Sequence, residues 1–298
     1  MPSLKVLITG GSGLLGQYLN VKLAKQNEIL TLYNQHPGNC ANYNSTKVDL
    51  TNYELFNSVL DSFKPDVVIH TAAFTSPVIP PGIKTKDIYK INVKATNNIA
   101  QQCEKIGCKL IYFSTDLVYA GYRGSMLKED AKLIPASLYA ETKLVAENKI
   151  REVYDNYIIL RTALLFGFGL HHSICHFHQM YNNLKNGKRI KLFTDQFRTP
   201  LSLIDAGKML NKLLKLEIKN ETINFGGSDR VSRLELGEIL CRLANFDDSL
   251  IDGVSLSTVA EMPQVADVSM NTNKLQSYGI APKGIEESVK DVVDGLES

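Results

Sequence analysis

The chain of 298 residues has no tryptophan, and its five cysteines include no C-x-x-C pair. Their odd number and scattered positions (Cys40, Cys103, Cys108, Cys175, Cys241) argue against a disulfide framework; they read as reduced thiols of a cytoplasmic protein. An apolar run of ~18 residues able to span a bilayer is also missing, so no membrane association is expected. The first strand begins at Leu4, with no long apolar leader before it. Charge of one sign is lacking too: 33 basic residues face 31 acidic ones, leaving a net +2 and no footprint for nucleic acid. What is present is an ordinary globular composition, 44% hydrophobic and 21% charged, long enough to bury a large core.

The first half alternates short apolar runs with amphipathic stretches. Leu4–Thr9, Ile29–Tyr33, Thr46–Val48, Val67–His70, Leu110–Ser114 and Tyr157–Arg161 read as strands. Between them, Leu14–Lys25, Asn52–Phe63 (with Thr51 as N-cap), Asp87–Lys105 (stopped by Gly107) and Ser137–Val153 read as helices. Such repeated βα units predict an α/β fold with a doubly wound parallel sheet. After Arg161 the rhythm loosens. Helices are expected at Ser173–Asn186, Ile204–Leu216 and Arg233–Ala244, a strand at Thr222–Phe225, and a polar, turn-rich tail from Asp247. The expected organisation is a cofactor domain over 1–165, with segments near 190–225 packing on it. Residues 166–298 mainly form a smaller, non-contiguous substrate-binding lobe.

The first strand runs directly into Thr9-Gly10-Gly11-Ser12-Gly13-Leu14-Leu15-Gly16 and then a helix. Glycines in this G-x-x-G-x-x-G spacing permit a tight turn and let a pyrophosphate approach the backbone, while the following helix offers free N–H groups. Gly10, Gly13, Leu14, Leu15 and Gly16 are therefore expected cofactor contacts. The second strand ends Leu32-Tyr33-Asn34-Gln35-His36, without the acid that binds the ribose of NAD. That favours NADP, with NAD as the alternative. Tyr33, Asp49 and Leu50 fall where adenine contacts would lie.

Ser114-Thr115-Asp116 closes a strand, and Tyr139 and Lys143 share one face of the next predicted helix. An ammonium beside a phenol would lower the phenol pKa, and such a tyrosine can pass a proton to a carbonyl oxygen. The Thr115 hydroxyl can orient the same oxygen. Thr115, Tyr139 and Lys143 are the candidate catalytic trio.

With these motifs in order, the sequence resembles the extended short-chain dehydrogenase/reductase superfamily, and within it the dTDP-4-dehydrorhamnose reductases. The likeness runs through nearly the whole chain, including Lys64–Thr75, Phe113–Tyr119, Leu160–Gly167 and Asp195–Pro200. It implies NAD(P)H-dependent reduction of a 4-keto nucleotide sugar, as used in polysaccharide biosynthesis. It further implies Lys143 on the nicotinamide ribose, Ala73, Phe74 and Thr75 along the cofactor, and Thr115 and Asp116 at the sugar. A homodimer is an assembly left open. The chain departs from these reductases on the sugar side: Leu117 replaces an aromatic, Ala163-Leu164 a tryptophan motif, Met262-Pro263 an Arg-Pro, and Ser76–Gly82 an acidic stretch.

Other readings stay open at this level. Arg198 serves either a substrate diphosphate or a structural ion pair. His172 and His176 are spaced for a metal on one helix, but no third ligand is evident, so no metal is expected. A nucleotide-sugar epimerase or dehydratase is an alternative function. So is a non-catalytic subunit resembling the regulatory subunit of methionine adenosyltransferase.

Overall fold

The expected βα units form in the computed structural model, which describes residues 3–76, 79, 81–259 and 264–296. They run β1 (Lys5–Thr9), α1 (Leu14–Leu23), β2 (Glu28–Tyr33), β3 (Ser45–Lys47), α2 (Tyr53–Phe63), β4 (Val67–His70), α3 (Thr85–Tyr89), α4 (Ala95–Ile106), β5 (Lys109–Thr115), α5 (Leu138–Val153) and β6 (Tyr157–Thr162). The later half adds β7 (Leu165–Phe166), α6 (His176–Lys185), β8 (Ile190–Phe193), β9 (Phe197–Arg198), β10 (Leu201–Ser202), α7 (Leu203–Leu213) and β11 (Glu221–Phe225). After these come β12 (Val231–Ser232), α8 (Arg233–Ala244), β13 (Ile251–Val254), α9 (Asn273–Ser277) and α10 (Ile285–Asp294).

Seven parallel strands make the central sheet in the order β3-β2-β1-β4-β5-β6-β11. Every residue of β4 and β6 is buried, as a sheet covered on both faces requires. On one face Leu15, Leu19 and Leu210 of α1 and α7 pack on Val6, Ile8 and Ile111. On the other, Phe56, Leu60, Ile99 and Ile150 of α2, α4 and α5 pack on Leu7, Val68 and Ile159. The order reverses between β1 and β4, which opens a crevice at their carboxyl ends.

Three expectations are corrected. The N-cap of α2 is Asn52, whose side chain accepts the Leu55 N–H at 3.1 Å, rather than Thr51. The single helix expected over Asp87–Lys105 is broken by a π turn at Lys90–Lys94, although Gly107 does end it with φ +74°. Asn92 in that turn receives the Phe74 N–H at 2.8 Å and donates to Phe74 O at 3.0 Å and Thr142 Oγ1 at 3.0 Å. These bonds hold the loop after β4 against α5, a tertiary demand no local pattern announces. Finally, the tail is structured: Ile285, Val289, Val292 and Val293 line one side of α10 and join Phe177 and Leu240 in a separate core. The proposed loop over Pro77–Gly82 includes positions 77, 78 and 80, and Met262-Pro263 also falls outside the described residues.

One buried network fixes α5 in place. Glu147 accepts from Arg161 at 2.9 and 3.2 Å, from Arg151 at 2.9 Å and from Ser114 at 2.6 Å. Its carboxyl sits below the usual range because these partners outweigh burial. Glu147→Gln would leave the Arg161 charge buried and uncompensated. We expect a loss of about 3–5 kcal/mol in urea unfolding; a loss under about 1 kcal/mol would show the network to be expendable.

Candidate active site

A cavity of about 1150 Å³ follows the carboxyl ends of β1, β2, β4, β5 and β6. Its first end is the turn after β1. Gly10 takes φ +69°, and a Cβ there would meet the backbone of Ala72 at 2.7 Å. A Cβ on Gly16 would strike Gly10 O at 2.1 Å, so this glycine is demanded by packing of α1 on the turn. Gly13 differs: its φ is −74°, and an added Cβ would meet only Gly10 O, at 3.2 Å. It lines the cavity with Leu14 and Leu15 at the start of α1, where no side chain caps the helix. First-turn N–H groups have no intrahelical partner, so this end is suited to an anion. Tyr33, Asn34, Asp49 and Leu50 line the next stretch, with no carboxylate at the end of β2 itself. The cradle and the acid-free strand end fit a dinucleotide carrying a 2′-phosphate.

Ala73, Phe74 and Thr75 continue the wall toward Thr115, Tyr139 and Lys143. The capping hydroxyl of Ser137, which accepts the Ala140 N–H at 3.2 Å, starts α5 immediately before Tyr139. One turn further along, Lys143 is 2% exposed, with Nζ 4.1 Å from the centroid of the Tyr112 ring. Burial lowers Lys143 to about 7, while Glu147 pulls the other way. The Tyr139 phenol is raised by burial and then by Asp116, and Thr115, within hydrogen-bonding reach, opposes this. The expected lowering of the phenol by Lys143 is therefore not the balance found here. Desolvation outweighs it, since the buried lysine itself favours its neutral form near pH 7.

Nearly all residues singled out from sequence meet around this one cavity. Asp116 does not line it. The chain enters a short 3-10 turn after Thr115, which puts the Asp116 carboxylate behind the wall. There it accepts the Thr115 hydroxyl at 3.2 Å and lies 3.5 Å from Arg198 Nε. Arg198 does line the cavity and is also in an ion pair, so both of its readings hold in part. Sequence reasoning missed Gln196, Arg233 and Val265 on the sugar side. Arg233 lies in the first turn of α8, whose capping box of Ser232 and Glu235 signals a helix start but no site.

The histidine cluster is dispersed. The helix begins only at His176, so His172 and His176 do not share a helical face. His172 stacks on His36 with centroids 5.3 Å apart, His176 faces the cavity, and His178 accepts the Gly169 N–H at 3.1 Å.

A sequence profile of the RmlD substrate binding domain matches residues 4–298. The chain belongs to this family. The RmlD-family chain is 27% identical over 308 residues to a dTDP-4-dehydrorhamnose reductase of Aggregatibacter actinomycetemcomitans, covering 97% of this chain and 98% of that protein. It is also 25% identical to the methionine adenosyltransferase 2 subunit beta of Rattus norvegicus, over 97% of this chain and 88% of that one. Among solved structures, a dTDP-4-dehydrorhamnose reductase from Bacillus anthracis in complex with NADP superposes with a TM-score of 0.85 at 24% identity. That match covers 99% of this chain and all of the other.

The buried lysine gives a stability signature. Unfolded, Lys143 keeps its proton up to its ordinary value of 10.5; folded, it does so only below about 7. Between those values the unfolded chain binds more protons, so stability rises with pH across the window. Lys143→Met should therefore melt above wild type at pH 7, with the gap closing toward pH 10. Thermal scans from pH 7 to 10 check this, and a gap that does not change with pH would contradict it.

Proposed function

We propose that this RmlD-family chain is an NADPH-dependent reductase of a 4-keto nucleotide sugar. The observation that carries the reading is the continuity of one cavity from the glycine turn to Thr115, Tyr139 and Lys143. The kinship with dTDP-4-dehydrorhamnose reductases supports it. In this reading residues 1–165 form the cofactor domain, and 166–298 mainly the substrate lobe. The free thiols suit a reducing, cytoplasmic setting.

When bound, NADPH supplies hydride to the carbonyl carbon. The N–H groups at Gly13, Leu14 and Leu15 hold its pyrophosphate, and Tyr33, Asp49 and Leu50 flank the adenosine. Ala73, Phe74, Thr75 and Lys143 flank the nicotinamide riboside. Tyr139 and Thr115 address the carbonyl oxygen. The Tyr139 O–H bond breaks as the oxygen gains negative charge, its proton completes the new hydroxyl, and the phenolate is reprotonated from solvent. Thr115 donates to the same oxygen and fixes its place. A phenol raised by burial stays protonated well above neutrality, as an acid for reduction must. Asp116 acts from behind, by orienting Thr115 and Arg198.

Two variants test the two ends separately. Tyr139→Phe keeps the ring and removes the proton; single-turnover reduction should fall by roughly two to four orders of magnitude with cofactor affinity unchanged. Near-wild-type turnover would remove Tyr139 from the chemistry. Gly13→Asp should fold, because its backbone is ordinary and its Cβ tolerated, yet lose NADPH binding by calorimetry. Unaltered affinity in that folded variant would sink the cradle assignment.

A further inference from the structure

The sugar end of the cavity holds more buried positive charge than the reduction requires. Arg198 and Arg233 both line it, with Gln196 and His176 beside them. Asp116 is the carboxylate nearest Arg198, at 3.5 Å, and its Oδ2 accepts no hydrogen bond. Arg233 donates Nε to Gln196 Oε1 at 3.0 Å, while its buried Nη1 has no partner. Asp267, which also attracts Arg198, is committed to Arg230 at 2.7 Å. Burial draws Asp116 up and Arg198 down, so the attraction across this ion pair does not offset their desolvation. Arg233 falls to about 10 through burial and the neighbouring Arg198. His176, held to about 4 by burial and Arg233, is neutral and adds no third cation. Two guanidinium groups thus share one poorly seated carboxylate, and the unmet need is for an acceptor that carries negative charge.

We propose that Arg198 and Arg233 form an oxyanion subsite that reads a carboxylate or phosphate of the substrate beside the reacting carbonyl, with Arg233 determining specificity. This rests on the nucleotide-sugar reading of the cavity. The Asp116 carboxylate alone lies between Arg198 and the Thr115 hydroxyl, one oxygen facing each, which sets the subsite close to the reacting carbon. The planar fork of a guanidinium matches a two-oxygen anion and leaves donors unused by a neutral hydroxyl. Leu117, Leu164 and Val265 line the same region and exclude water, which strengthens charge recognition.

The test is calorimetric binding to the NADP-loaded protein, wild type against Arg233→Gln, with UDP, UDP-glucose and UDP-glucuronic acid as probes. Inorganic pyrophosphate and free glucuronate are run as nucleotide-free controls. If the subsite reads phosphate, the variant loses about tenfold or more for UDP and UDP-glucose alike. If it reads a sugar carboxylate, wild type prefers UDP-glucuronic acid to UDP-glucose and the variant loses that preference. Without ligand the variant should melt at or above wild type, because an underpaired buried cation has gone; a structural arginine would do the reverse. Arg233→Lys keeps the charge without the fork and should lose at least severalfold, which serves if Arg233→Gln does not fold. Wild-type affinity for every probe in a folded variant overturns the proposal. If wild type binds none of the uridine probes, the nucleotide-sugar reading fails instead. The subsite is then upheld only by Arg233-dependent binding of pyrophosphate or glucuronate, and is otherwise lost.

Discussion

The carboxylate of Glu147 is fully buried and accepts from two arginines and a serine, and through them it ties α5 to β5 and β6. Ser114 precedes Thr115 on β5, Arg161 belongs to β6, and Glu147 follows Lys143 by one helical turn. The separation between the Thr115 hydroxyl and the Tyr139–Lys143 face is thus set by one charge cluster. Arg161 carries the cluster outward, donating to Tyr119 at 3.0 Å and to Glu129 O at 2.8 Å. Tyr119 in turn donates to Asn224 of β11, the last strand to join the sheet. A buried ion pair of this kind adds little net stability over an apolar replacement, but it demands one arrangement of the elements that share it.

Desolvation governs the site chemistry more than charge pairing does. Lys143, His176 and His70 are all pushed toward neutrality, His70 to about 3, and Tyr139 is held protonated. His70 at the end of β4 is locked between Thr9 and Thr96, at 2.7 and 2.9 Å, and so braces the two strands at the switch point. Against this neutral background the arginines stand out. A guanidinium cannot shed its proton at neutral pH, so a pair of them must be met by a counter-anion.

The two halves of the chain are tied together at the glycine turn. Gln17 of α1 donates to Leu170 O at 2.9 Å and Ser173 Oγ at 3.1 Å, and Tyr18 donates to Phe168 O at 2.7 Å. The segment before α6 therefore lies over the start of α1, and Ile174 and Cys175 close that side of the cavity. Segments far apart in sequence thus share in positioning a single ligand-sized space.

The parts legible in the sequence are those encoded by local physics. Apolar runs flanked by helical periodicity determined the six leading strands, and glycines between a strand and a helix determined the turn at Gly10–Gly16. Helical spacing put Tyr139 and Lys143 on one face. The same logic was available for α10 in Ile285, Val289, Val292 and Val293, but the polar residues between them masked the stripe. Only the tertiary structure decided that Asp116 turns behind the wall while Arg233, remote in sequence, reaches it. It also decided that the π turn at Asn92 clamps Phe74 to α5, and that burial outweighs the lysine in setting the phenol. Each of these depends on which surfaces lose water when distant segments meet, and spacing along the chain carries no record of that.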